Sequence, residues 1–212
     1  MQAMILPLLY CVIVYGGVYI GLVCGREGSI RSQFPVATVG LLALIGIPTV
    51  LQFAFPAILA TLERNWPLIL QGQVWRLLTS LLVQDGGWQG SLFNLTSLTL
   101  LGFTAEKLWG PSRLLVIFGL GGVITVALAC WWQPVGAGNS VANIALAAAT
   151  AVLALKLSRQ MAVRCVAIVV LGAGLVLLIA KDVHGIADAV GAGLGYLLAN
   201  YSGMSQRVRP DG

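Results

Sequence analysis

Charge is scarce in this chain. Only 9% of its 212 residues are Asp, Glu, Lys or Arg, against 58% hydrophobic residues and a mean hydropathy of +0.93. A soluble domain carries roughly 25% charged residues, so an ordinary water-soluble globule is excluded and the chain reads as an integral membrane protein. The 12 basic residues outnumber the 7 acidic ones, but they lie between apolar runs and form no patch. The net charge of +5 therefore reports membrane topology and gives no sign of a nucleic-acid partner. Cysteine is sparse as well: Cys11, Cys24, Cys130 and Cys165 sit apart in apolar runs, with no CxxC and no Cys/His cluster. That argues against a metal site or a disulfide framework. There is no internal repeat and no row of charges along a pore, which counts against a transporter or channel. Histidine occurs once, as His184.

What is abundant is long apolar runs. Residues 3–24 form an uncharged stretch about 33 Å long as a helix, enough to span a hydrocarbon core of roughly 30 Å. It lacks a basic n-region and is too long for a signal-peptide h-region, so it reads as a true span. A second run covers residues 36–60 and contains Pro48 and Pro56, which neighbouring helices can accommodate. Residues 63–86 are different: Arg64, Arg76 and Asp85 interrupt them, and Trp66 and Trp75 appear. This is expected to be a loop lying on or dipping into the interface. Further spans are expected at about 88–108, 114–132, 139–155, 161–180 and 183–201, the break after Trp132 being marked by Gln133, Pro134 and a glycine-rich stretch. The total is seven, followed by a polar tail.

Seven spans can be oriented by lysine and arginine. One side receives Arg26, Arg31, Lys107, Arg113, Lys156, Arg159, Arg164, Arg207 and Arg209, and the other Arg64, Arg76 and Lys181. The richer side is assigned to the cytoplasm, which puts the amino terminus and the interfacial loop outside and the carboxyl terminus inside. With this orientation Asn94, Ser140 and His184 all enter from the outer face, within roughly 10 Å of it by helix rise. A hydroxyl, an imidazole and a carboxamide at one depth are the parts of an acyl-transfer site: nucleophile, general base and oxyanion donor. Each also has a plainer role, Ser140 as a helix cap and Asn94 as interhelical glue.

The surroundings of His184 add a packing signal. Ala187, Gly191 and Gly195 recur every four residues after it, a smooth stripe on which another membrane helix can dock closely. Asp188 lies four residues after His184 and by spacing alone is a modulator of its charge or tautomer, or else a hydrogen-bonding partner of a neighbouring helix.

From about residue 36 to 201 the chain resembles the rhomboid family of intramembrane serine proteases. The carriers are Trp75-Arg76 in the loop, Leu92-Phe93-Asn94 in the second core helix, Glu106 and Gly110 at its end, Gly138-Asn139-Ser140 opening the fourth core helix, and His184 with Ala187 and Gly191. The resemblance implies an all-α polytopic bundle of six core helices (residues 35–202) preceded by one extra transmembrane helix (1–34) and followed by a cytoplasmic tail (203–212). It implies a multi-pass protein of the cell membrane that cleaves transmembrane protein substrates near the outer surface with no cofactor or metal. Ser140 would attack the peptide carbonyl, His184 would carry its proton, and Asn94 with the Ser140 amide would hold the oxyanion. Gly138 and Gly191 would support close approaches, and Trp75 and Arg76 the loop.

Three positions depart from the family pattern. Gly90 stands where a histidine usually assists the oxyanion site, and Ile144 where an aromatic often packs on the catalytic histidine. An alternative register over Val135-Gly136-Ala137 puts Gly138 at the serine position, which would describe an inactive relative that binds transmembrane helices.

Overall fold

Two helices lead into the chain, α1 (Gln2–Glu27) and α2 (Val36–Ala54), and an irregular stretch follows. It comprises α3 (Ala57–Leu62), β1 (Arg64–Asn65), α4 (Trp66–Leu70) and α5 (Arg76–Thr79). The long helices α6 (Gly87–Trp109) and α7 (Pro111–Ala129), the short β2 (Val135–Gly136), and then α8 (Ser140–Leu157), α9 (Met161–Ile179) and α10 (Val183–Tyr201) complete it. This computed structural model describes residues 2–27 and 34–201. The segment 203–212 and the charge-count residues Arg31, Arg207 and Arg209 lie outside the described residues.

The protein is a polytopic helical bundle, as expected. Among the described residues, five helices (α1, α2, α7, α8 and α9) are long and apolar enough to cross a membrane. The helices α6 and α10 have 23 and 19 residues but are less apolar. They are the two that carry Asn94 and His184. Intramembrane polar groups are costly and mark function, so the dilution of hydropathy is itself part of the signal.

The element boundaries have local causes. The expected second span, 36–60, stops short because Pro56 drives the residue before it out of the helical region. Phe55 is accordingly at φ −130°, ψ 83°, and α2 ends at Ala54. The helix begins after Pro35, with no side-chain cap of its own. Glu106 of α6 supplies one: its carboxylate accepts from the Ala37 amide at 3.0 Å, the Thr38 amide at 2.8 Å and the Thr38 hydroxyl at 2.6 Å. A negative charge on the unpaired amides of a helix start is favourable on both hydrogen-bonding and dipole grounds. Gly110, at φ +74°, turns the chain from α6 into α7.

Residues 63–86 form no span, in keeping with the expected interfacial loop. The buried Arg76 holds the loop together. Its guanidinium donates to the Ala60 and Glu63 carbonyls at 3.0 and 2.8 Å and to Gln73 at 2.8 Å. The loop is also pinned to the start of α8 by antiparallel pairing of Arg64 with Gly136 and Asn65 with Val135.

The centre of the bundle is α8. It packs on α1, α6, α7, α9 and α10, and its side chains from Val141 to Ala151 are all buried. Alanines along this helix keep it thin enough for five neighbours to approach. The tightest approach is by α10: a Cβ on Gly191 would run into the Ala145 carbonyl, and one on Gly195 would sit 2.7 Å from the Ala149 Cα. The small-residue stripe therefore docks on the backbone of α8. The extra helix α1 fills the space among α6, α8 and α9.

This docking predicts that Gly191→Leu, which cannot be relieved by a side-chain rotation, destabilises the protein by about 3 kcal/mol or more. Gly193, which has open space around it, should accept alanine without loss. Thermal unfolding in detergent reads both; an unchanged melting temperature for Gly191→Leu would contradict the docking.

Candidate active site

The start of α8 is held by its surroundings before any chemistry is considered. The Ala137 amide donates to Asp85 at 2.8 Å, and the Gly138 amide donates to the Ser80 carbonyl at 2.8 Å. Gly138 has φ +143°, a conformation L side chains rarely adopt. Asn139 is fully buried at the cap position and accepts from Gln84 at 2.8 Å. Ser140 is the first helical residue, so its amide is among those that have no acceptor within the helix.

Across from it, α10 begins with His184 in its first turn. The turn between α9 and α10 is a Schellman-type closure. Lys181 takes φ +58°, its amide donates to the Leu178 carbonyl at 3.0 Å, and the Asp182 amide donates to the Leu177 carbonyl at 2.9 Å. Asp182 then caps the next helix, its Oδ1 accepting from the His184 amide at 2.8 Å. One residue thus ends one helix and starts another.

The outcome is a connected row of side chains. Ser140 Oγ lies 2.9 Å from His184 Nε2, and His184 Nδ1 lies 2.7 Å from Asp182 Oδ1. Asp182 Oδ2 accepts the Tyr10 hydroxyl from α1 at 2.5 Å, and the Tyr10 ring lies against the imidazole, centroids 4.3 Å apart at 43°. The His184 and Asp182 side chains are 15% and 16% exposed. Burial by itself would push the Asp182 carboxyl up, but the hydrogen bonds and charge of His184 and the Tyr10 hydroxyl outweigh it and hold it at about 2. A carboxylate on Nδ1 favours the tautomer that leaves Nε2 free to take a proton from Ser140.

Asn94 approaches from α6. Its side-chain nitrogen donates to Gln84 Oε1 at 2.7 Å, and its main-chain carbonyl accepts from the Asn143 side chain at 3.0 Å. A Cβ built on Gly138 would lie 3.4 Å from Asn94 Nδ2 and 3.6 Å from Ser140 Oγ. The absent side chain leaves room that the carboxamide and the hydroxyl both border. A cavity of about 200 Å³ opens beside it, lined among others by Tyr10, Gly90, Asn94, Ser140 and His184. Gly90 faces open space, so no second side-chain donor stands there.

The residues singled out from the sequence divide into two groups. Ser140, His184, Asn94 and Gly138 come together, and the hydroxyl within reach of the imidazole belongs to Ser140. Asp188 does not join them. It is 4% exposed, packs against Gly174 of α9, and its Oδ2 has no hydrogen-bond partner. The reason is angular: α10 presents His184 toward α8 and Asp188 toward α9. Trp75 is half exposed and Arg76 staples the loop, so neither lines the cavity.

Sequence reasoning misses Asp182, Tyr10 and the Gln84–Asn139–Asn143 carboxamides. Asp182 had a usable signal, an aspartate immediately before an apolar helical run. Tyr10 had none, because its partner is 172 positions away.

Two comparisons bear on this geometry. A search of curated proteins finds no match. The Rhomboid domain family profile matches residues 71–204, a segment that contains Asn94, Ser140 and His184 and leaves out α1 and α2. The match covers more than half of the chain, and the chain belongs to the rhomboid family of multi-pass membrane proteins.

Proposed function

We propose that this protein is an intramembrane serine endopeptidase that cleaves transmembrane protein substrates near the outer surface of the cell membrane. The observation that carries the reading is the 2.9 Å contact between Ser140 Oγ and His184 Nε2 at the edge of a cavity. Rhomboid proteins are generally serine proteases, which supports the same reaction. The lysine and arginine asymmetry supports an outward-facing site with the carboxyl terminus inside. The six-helix unit 35–202 carries Asn94, Ser140 and His184, and residues 1–34 form a helix that precedes it.

In this mechanism Ser140 Oγ attacks the scissile carbonyl carbon as its proton passes to His184 Nε2. The carbonyl π electrons move to oxygen, and the oxyanion accepts from Asn94 Nδ2 and the Ser140 amide. The α8 start adds its positive dipole end. The tetrahedral species collapses as the imidazolium gives its proton to the leaving amine. A water deprotonated by His184 then hydrolyses the acyl-enzyme and restores Ser140. With Gly90 in place of a second donor, Asn94 carries more of the oxyanion, and a slower enzyme results.

Three outcomes are expected. A fluorophosphonate probe labels the wild type in membranes but not Ser140→Ala or His184→Ala. A folded wild type that fails to label would favour a non-catalytic protein that binds transmembrane helices. Asn94→Ala lowers the cleavage rate by about 10²–10³, the range seen when an oxyanion donor is lost; a change smaller than threefold would remove Asn94 from the site.

The third outcome concerns pH. A carboxyl held near 2 in the folded protein and near 3.8 otherwise stabilises the fold above the higher value and ceases to do so as pH falls through the lower one. The contribution is about 2 kcal/mol. Melting temperatures of wild type and Asp182→Asn should differ at pH 7 and converge between about pH 4 and 2. A gap that closes well above pH 4 would contradict the pairing.

A further inference from the structure

The first helix lies outside the segment matched to the rhomboid domain, yet its Tyr10 reaches the centre of the site. We propose that α1 is a working part of the peptidase, Tyr10 being a positioning residue that fixes the Asp182 carboxylate and covers the His184 ring. The inference rests on the peptidase reading for its kinetic consequence but not for its structural one.

The Asp182 carboxylate has two oxygens with divided tasks. Oδ1 receives His184 Nδ1 and the His184 amide, and Oδ2 receives the Tyr10 hydroxyl. With only the first set of bonds the carboxylate can still swing about its Cβ–Cγ bond. The Tyr10 bond holds its plane, and with it the direction of the acceptor that orients the imidazole. A base–orienter bond of this kind selects the tautomer and the aim of Nε2. The Tyr10 ring, 4.3 Å from the imidazole centroid, closes the other face of His184. Ile144 of α8, which can neither hydrogen-bond nor stack, lines the same cavity.

For Tyr10 to position anything, α1 must itself be fixed. Three glycines show that it is. A Cβ on Gly16 would lie 2.5 Å from Val170 of α9, one on Gly17 2.9 Å from Ala147 of α8, and one on Gly21 2.5 Å from Thr104 of α6. Close packing through small residues drives helix association in lipid. The groups that face His184 are therefore known from every side: Asp182 from the α9–α10 turn, Tyr10 from α1, Ser140 from α8 and uncharged Asn94 from α6. Asp188 turns toward α9, and Lys181 is exposed.

The single histidine makes the test clean. The full chain, labelled with ¹⁵N-histidine in detergent micelles, gives one imidazole whose nitrogen shifts report tautomer and hydrogen bonding. Fluorophosphonate labelling rates are measured on the same samples for wild type, Tyr10→Phe, Tyr10→Leu and Asp182→Asn, with the exposed Tyr15→Phe as control. Asp182→Asn is expected to lose the Nδ1–H signature and slow labelling by about 10²–10⁴. Tyr10→Phe keeps the ring and removes the donor. Asp182 then has one fewer donor fixing its plane, so the imidazole nitrogen shifts change while labelling slows about threefold to tenfold. Tyr10→Leu removes both contacts and slows labelling further. If Tyr10→Phe and Tyr10→Leu fold and match the wild type in imidazole shifts and labelling rate, the inference is wrong. If the wild type does not label at all, the peptidase reading fails. The imidazole shifts of Tyr10→Phe then decide the positioning role on their own: a change upholds it, and no change overturns it.

Discussion

The contact of α10 with the backbone of α8 governs the rest of this structure. Gly191 and Gly195 press against Ala145 and Ala149 with no side chain between them. Ser140 and His184 occupy the first turns of these two helices, so the register and separation of the helices set the distance between the hydroxyl and the imidazole. Hydrophobic burial cannot do this in a membrane, because lipid is as apolar as the helices themselves. Close van der Waals packing between small residues can. Interiors packed at such density do not slide continuously, and the Ser140–His184 distance inherits that stiffness.

Polar groups around the site follow a second constraint. Away from water a buried polar atom without a partner is costly. The site meets this with a chain of carboxamides, of which Gln52, Gln84, Asn139 and Asn143 each donate and accept at once. Gln52 bonds the Gln84 backbone in both directions, and Gln84 bridges Asn94 and Asn139. Asn143 in turn holds the Asn94 carbonyl. Carboxamides suit this use because they carry no charge to be desolvated, and their two ends define an orientation. The Asn94 nitrogen is aimed by Gln84, which comes from the irregular stretch before α6. The loop and the helices are thereby tied into one polar unit.

The turn from α9 to α10 shows how much one residue can do. Asp182 closes the Schellman turn with its amide, caps α10 with its carboxylate and holds His184 Nδ1 with the same oxygen. Because the cap fixes the carboxylate relative to the first turn of α10, it is fixed relative to His184, whose side chain leaves that turn. The Tyr10 bond adds a restraint from another part of the chain. Asp188, although one helical turn from His184, cannot serve this purpose, since spacing along a helix says nothing of which neighbour each side faces.

The sequence by itself determined the membrane class, the long helices and the break before α8, because bilayer thickness and the scarcity of charge leave few other arrangements. The candidate Ser140, His184 and Asn94 were legible too, as polar residues at one depth in apolar runs, with a familiar motif around them. The small stripe was legible because its period is that of a helix. The turning away of Asp188 was not legible, nor the part of α1 in the site. These depend on rotation about helix axes and on contacts between distant segments, which periodicity along one chain does not encode. Only the packing of α1, α8 and α10 against one another brought Tyr10, Asp182, His184 and Ser140 into one row.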